Sequence, residues 1–168
     1  MAKKKKPTKT NKLKLIKAAD MIEGFSVTSS EKDTSDSPIQ DILNVTDSYR
    51  IKNIGSPLTF NLIFKTKGVG AITNAVLHNA ITSTDKPIVV NEKDSLQSHP
   101  IEMDTVANRQ FLEMRSIVAA TNLTPVPADL EVEFLISGGV EDKLYAIPAA
   151  SFKEVGDQIV LEISIFFF

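Results

Sequence analysis

The chain has 168 residues, 42% of them hydrophobic, so it is long enough to bury one sizeable core. It contains no cysteine, which excludes disulfides, thiolate metal sites and cysteine nucleophiles. The net charge of −2 is unevenly distributed. Residues 1–17 contain eight lysines and no acid, which leaves 11 of the 19 basic groups to oppose all 21 acids in the remainder, a net of about −10 there.

Residues 1–25 are predicted to form a basic arm. Residues 1–11 have too little apolar content to offset the entropy of ordering them, so this part is expected to be disordered. Within residues 12–23 the apolar spacing predicts a short helix that ends near Gly24, and a strand beginning at Leu13 is the alternative. The apolar residues on the helical stripe are Leu15, Ala18, Ala19 and Ile22.

Residues 26–38 are polar and rich in serine, which predicts a linker, and residues 39–168 form the body. The clearest element of the body is 130–137, where Leu, Val, Phe and Ile alternate with Glu and Ser as in a strand with one buried face. Gly138 and Gly139 then favour a tight reversal. The strand candidates are 48–54, 58–64, 71–81, 88–90, 111–119, 130–137, 144–147 and 158–168.

Seven or eight short strands with turn residues between them are typical of an all-β fold. We therefore expect an antiparallel β-sandwich or jelly roll with a basic N-terminal arm. Residues 91–108 show no periodicity and are interpreted as a long loop.

No group of residues carries a convincing catalytic or metal-binding pattern. Ser95, Ser98, His99 and Asp104 could be assembled into a triad, but no serine lies on a nucleophile turn. His99, Glu102 and Asp104 lie close enough in sequence to share a metal, although their spacing does not indicate one. The sequence therefore predicts no enzyme, no metal and no cofactor.

The lysines of the arm are the strongest functional signal. Lysine side chains bind phosphate backbones as point charges that release counterions, with little sequence preference. They are predicted to contact nucleic acid or an acidic partner, and a solubilising tail without a partner is the alternative. These lysines are Lys3, Lys4, Lys5, Lys6, Lys9, Lys12, Lys14 and Lys17.

The chain ends in three aromatic residues, Phe166, Phe167 and Phe168. Each would remove about 150–250 Å² from water if buried, and each would favour aggregation if left on an exposed edge. They either complete the core of the domain or contact a neighbouring subunit, and the second possibility makes them predicted subunit contacts.

The combination of a sheet domain, a cationic arm and an aromatic end resembles the arrangement of small virion proteins. That resemblance implies a structural subunit of a virus-like or phage particle, either a coat protein or an auxiliary (decoration) protein, that assembles with its own copies or other particle subunits. The alternative is a stand-alone module that binds a protein, peptide or glycan through residues 91–108. No membrane span or classical signal peptide is evident, so we expect a virion or cytoplasmic location.

Overall fold

A computed structural model describes residues 13–17, 25–29, 40–66, 70–93, 95–119, 129–149 and 158–168, which contain eleven β-strands and one short helix. Gly68 and Gly156 predict two further turns between strand candidates, and both glycines lie outside the described residues. The strands are β1 (Leu13–Lys17), β2 (Phe25–Ser29), β3 (Gln40–Tyr49), β4 (Pro57–Phe64), β5 (Gly70–Asn79), β6 (Thr84–Lys93), β7 (Leu96–Met103), β8 (Phe111–Ala119), β9 (Glu131–Ser137), β10 (Asp142–Pro148) and β11 (Gln158–Phe167), and the helix is α1 (Asp104–Ala107).

The strands form two sheets, which confirms the all-β prediction. One sheet has the order β1-β10-β9-β4-β7 and the other has the order β2-β3-β11-β8-β5-β6. Seven of the nine strand pairings in the described residues are antiparallel, but β1 pairs with β10 and β3 pairs with β11 in parallel. The wholly antiparallel arrangement that the turn spacing indicated is therefore wrong for these two pairs, whose partner strands lie far apart in the sequence.

The core consists of the inward faces of both sheets. In β9 the buried residues Val132, Phe134 and Ile136 alternate with half-buried ones, as the sequence predicted. Buried side chains from the two sheets belong to one hydrophobic cluster, in which the ring centroids of Phe134 and Tyr145 lie 5.6 Å apart. The strong strand predictions succeed because burial of one face selects apolar residues at every second position.

Three predictions about segments differ from the structure. Leu13–Lys17 is strand β1 rather than the start of a helix, as the alternation of Leu and Lys also allowed, and residues 18–24 lie outside the described part. The predicted linker begins inside strand β2, which pairs with β3, and residues 30–39 are likewise outside the described part.

The predicted long loop of residues 91–108 is the third difference, because it contains β7 and α1. In β7 only Leu96 and Ile101 are fully buried, and the pairing of β4 with β7 shifts register twice. These bulges break the two-residue period, so the strand has no visible pattern in the sequence.

Candidate assembly surface

Six large apolar side chains are exposed at one end of the two sheets. Among the described residues eight large hydrophobic side chains are exposed, and the other two, Ile72 and Val90, lie along strands β5 and β6. Five of the six lie in or next to connections between strands at this end, and the sixth is the last residue of the chain. We call this surface the apolar end. Its members are Ile54, Ile81, Met103, Val106, Val140 and Phe168.

Backbone hydrogen bonds hold most of these connections together. Asp104 N donates to Ser56 O at 2.8 Å, and Val140 N donates to Arg50 O at 2.9 Å. Ile51 N donates to the carbonyl oxygen of Phe168 at 2.9 Å. The β3–β4, β7–β8 and β9–β10 connections and the last residue therefore form one continuous surface.

The carboxylate of Asp104 fixes the β3–β4 connection. Its side chain is fully buried and accepts hydrogen bonds from three successive amides, with distances of 3.2 Å to Ile54 N, 2.7 Å to Gly55 N and 3.0 Å to Ser56 N. Burial alone would raise the pKa of Asp104, but these amide hydrogen bonds outweigh it and hold the pKa below its ordinary value. The carboxylate is therefore charged at neutral pH and holds Ile54 in place.

The β9–β10 turn is fixed against β3 by Tyr49. The Gly139 amide donates to the Tyr49 hydroxyl at 2.8 Å, and a Cβ on Gly139 would lie 2.3 Å from Tyr49 Cε1. Burial raises the pKa of Tyr49 to about 12 although the Gly139 amide favours its charged form. Gly138 has a φ of +103°, which confirms the tight reversal predicted for the glycine pair.

A second polar group links the two sheets near this turn. Asp47 Oδ2 on β3 accepts from Lys143 Nζ at 2.9 Å and from the Tyr145 hydroxyl at 2.8 Å, both on β10. Burial opposes ionisation of Asp47, but the hydrogen bonds from Lys143 and Tyr145 prevail and lower its pKa. Burial and the neighbouring Asp47 carboxylate raise the pKa of Tyr145 above its ordinary range, so the phenol stays protonated and donates.

The three terminal phenylalanines have different environments. Phe167 is fully buried in the chain's own core, so it is not available as a subunit contact. Phe168 is 51% exposed, and Phe166 is half-buried with its ring centroid 4.8 Å from that of Phe111. Alternation along β11 places Phe166 and Phe168 on one side and Phe167 on the other, so only the first two face outward.

The candidate catalytic and metal-binding residues do not come together in one site. The Asp104 carboxylate binds backbone amides, Glu102 pairs with Lys86, and His99 Nε2 lies 3.0 Å from Ile88 O. The Ser95 hydroxyl accepts from Phe64 N at 3.0 Å. In the described residues no three His, Asp or Glu side chains are placed to share a metal ion.

Most lysines of the arm lie outside the described residues; the exceptions, Lys14 and Lys17, are in β1. β1 is the outermost strand of its sheet, and Leu13 pairs with Asp142 at the apolar end. Strand β1 therefore begins at the apolar end.

Comparison with known proteins gives no match: no protein-family model, no curated protein and no solved structure matches the chain. Within the described ranges no helix has the length and apolar content that a bilayer crossing requires.

Proposed function

We propose that this chain is a structural subunit of a virus-like or phage particle, a coat or auxiliary (decoration) protein. Its apolar end would contact neighbouring subunits, and its lysine-rich arm would contact nucleic acid or an acidic neighbour. The observation that carries the proposal is the collection of six exposed apolar side chains at one end of the sheets, where backbone hydrogen bonds join three of the connections and the last residue.

Exposed apolar side chains on connecting segments call for an explanation because such segments usually present polar groups to water. Ile54 and Ile81 are 72% and 76% exposed, so most of their apolar surface is available to a partner. Contiguous apolar patches on soluble proteins mark interaction sites. The core of an interface is also rich in Arg, Met and aromatic residues, and Arg50, Arg109, Met103 and Phe168 belong to or border this end.

The rigidity of the apolar end supports the same conclusion. Asp104 holds the β3–β4 connection by three amides, and Tyr49 holds the β9–β10 turn. A surface that is already ordered loses little conformational entropy when it binds, so more of the burial energy becomes affinity. Buried polar contacts of this kind are expected where the shape of a surface matters.

We further propose that the two sheets form a β-sandwich, since their inward faces contribute to one core cluster. The parallel pairings of β1 with β10 and β3 with β11 favour a general sandwich over a jelly roll built from antiparallel strands alone. In such a subunit β1 and β2 would cover the outer edges of the two sheets.

The alternative function is a stand-alone module that recognises a partner through residues 91–108. These residues form the edge strand β7 and the helix α1, and only Met103 and Val106 among them belong to the apolar end. A binding module would remain a monomer at high concentration.

Electron microscopy of the purified full-length protein distinguishes the two functions. We expect regular particles, or decoration of a particle supplied in the same sample. A monodisperse monomer at all protein and salt concentrations, with no attachment to particles, would exclude a subunit that acts through self-assembly or decoration.

A further inference from the structure

The outward face of the six-stranded sheet carries a hollow of about 440 Å³. Residues of four adjacent strands, β3, β11, β8 and β5, line it, and the pairing register places eight of them, all polar except Val76, in two rows. One row is Asn44, Glu162, Arg115 and Asn74, and the other is Thr46, Ser164, Glu113 and Val76.

The charge of this hollow is negative. Glu113 and Glu162 contribute two carboxylates against the single guanidinium of Arg115. Arg115 Nε lies 3.6 Å from Glu162 Oε1, whereas Glu113 takes part in none of the ion pairs between described residues. Amide and hydroxyl oxygens of Asn44 and Ser164 in the same hollow can accept hydrogen bonds from ammonium groups.

The arm has the complementary composition. Residues 3–9 contain five lysines and no acid, and their remaining residues are Pro7 and Thr8. Each lysine ammonium offers three donors and no acceptor, which suits a floor of carboxylates and oxygen acceptors. The eight arm lysines also nearly balance the net charge of about −10 on the rest of the chain.

The arm is attached to β1, which belongs to a different sheet from the one that carries the hollow. β1 is at the outer edge of the five-stranded sheet and begins beside Asp142 at the apolar end, whereas the hollow lies on the outward face of the other sheet. The ten residues from Lys3 to Lys12 span at most about 33–36 Å when extended. A segment of that length can extend from the edge of its own sheet to a second copy that contacts the apolar end.

We propose that residues 3–9 of one copy bind in the outward hollow of a second copy. The proposal rests on the proposed function and makes it more specific, because it assigns the arm an acidic neighbouring subunit as its partner. Nucleic acid fits less well, since a polyanion at the arm would approach the acidic body of the chain. Exposed ion pairs contribute about 0.2–1 kcal/mol each, so the contact is weak in a pair of molecules and is strengthened by repetition in an assembly.

Carbodiimide coupling of lysine amines to carboxylates tests the contact directly. Full-length protein is mixed with an equal amount of ¹⁵N-labelled full-length protein, coupled, digested and analysed by mass spectrometry. We expect mixed-isotope peptides that join lysines of residues 3–9 to Glu113 or Glu162. Their yield should fall several-fold between about 10 mM and about 1 M salt, where the Debye length is about 30 Å and about 3 Å.

A hollow that lacks both carboxylates and keeps only Arg115 as a charged group supplies the matched comparison. The double variant Glu113→Gln with Glu162→Gln should raise the concentration needed for self-association several-fold at low salt. The control double variant Glu92→Gln with Asp129→Asn removes two exposed carboxylates elsewhere and should leave that concentration unchanged.

Links that lead mainly to other carboxylates, or links within one isotope only, would overturn the proposal. The proposal would also be overturned if a duplex DNA oligonucleotide protected the arm lysines from coupling and promoted assembly. The arm contact would be refuted if the hollow variant assembled like the wild type and the wild type gave no mixed-isotope links to Glu113 or Glu162. That result would leave the particle function intact. Absence of assembly in the wild-type protein would instead remove the particle function.

Discussion

Replacing Asp104 with alanine is expected to destabilise the fold strongly. The variant loses a buried carboxylate that accepts hydrogen bonds from the amides of Ile54, Gly55 and Ser56. The backbone bond from residue 104 N to Ser56 O remains possible, so the β3–β4 connection keeps one attachment to α1. The three amides lose their acceptor.

The size of the effect follows from the number and type of the lost hydrogen bonds. A hydrogen bond to a charged group contributes about 1.5–3 kcal/mol. Because Ile54 and Gly55 are exposed, water can solvate the released amides, and the lower part of that range applies. We expect a loss of about 3–5 kcal/mol, a large fraction of the about 5–15 kcal/mol that stabilises a typical domain.

Urea unfolding at neutral pH, followed by tyrosine fluorescence and circular dichroism, measures this loss. The control is Glu92→Ala, which removes an exposed carboxylate and should change the free energy of unfolding by at most about 0.5 kcal/mol. A loss below about 1 kcal/mol in Asp104→Ala would show that the amides do not depend on the carboxylate, and the account of a fixed apolar end would be wrong.

Three further predictions concern the same end of the molecule. Because the pKa of Asp104 is lower in the folded state, the ionised carboxylate stabilises the fold above the unfolded pKa of about 3.9. The free energy of unfolding of the wild type should therefore fall as pH falls through the folded pKa of Asp104, and the same acid titration of Asp104→Asn should lack that fall. Phe167→Ala should lower the free energy of unfolding by about 3–5 kcal/mol, because Phe167 is fully buried. Phe168→Ala should keep the unfolding temperature within a few degrees of that of the wild type, because Phe168 is exposed. It should weaken self-association, which sedimentation velocity measures. Gly139→Ala should lower stability by about 1–3 kcal/mol in chemical denaturation, since its Cβ would overlap the Tyr49 ring, and a neutral result would contradict the close approach.

The sequence predicts strands where burial of one face leaves a regular alternation. Strand β8 matches its predicted range of 111–119, and β9 and β11 differ from theirs by one terminal residue. The sequence does not indicate β7, because its bulged pairing with β4 leaves only Leu96 and Ile101 buried. Residues 13–17 do not distinguish the predicted helix from strand β1, because five residues of Leu, Ile and Lys satisfy either period.

The apolar end could not be predicted from sequence. Ile54, Ile81, Val106 and Val140 are separated from one another by 25 or more residues, so no local pattern in the sequence groups them. Only the pairing of the strands brings their connections together. The sequence offers Asp104 as a metal or triad candidate, but its actual partners lie 48–50 residues away, where no local pattern indicates them.

The most direct test of the assembly surface compares two valine variants by light scattering. Val106→Asp places a charge on the apolar end, and Val90→Asp places the same charge on β6, where the side chain is similarly exposed at 62% against 53%. We predict that Val106→Asp is a folded monomer at concentrations where the wild type and Val90→Asp form larger species. Equal masses for all three proteins would contradict the assignment of this end as the contact between subunits.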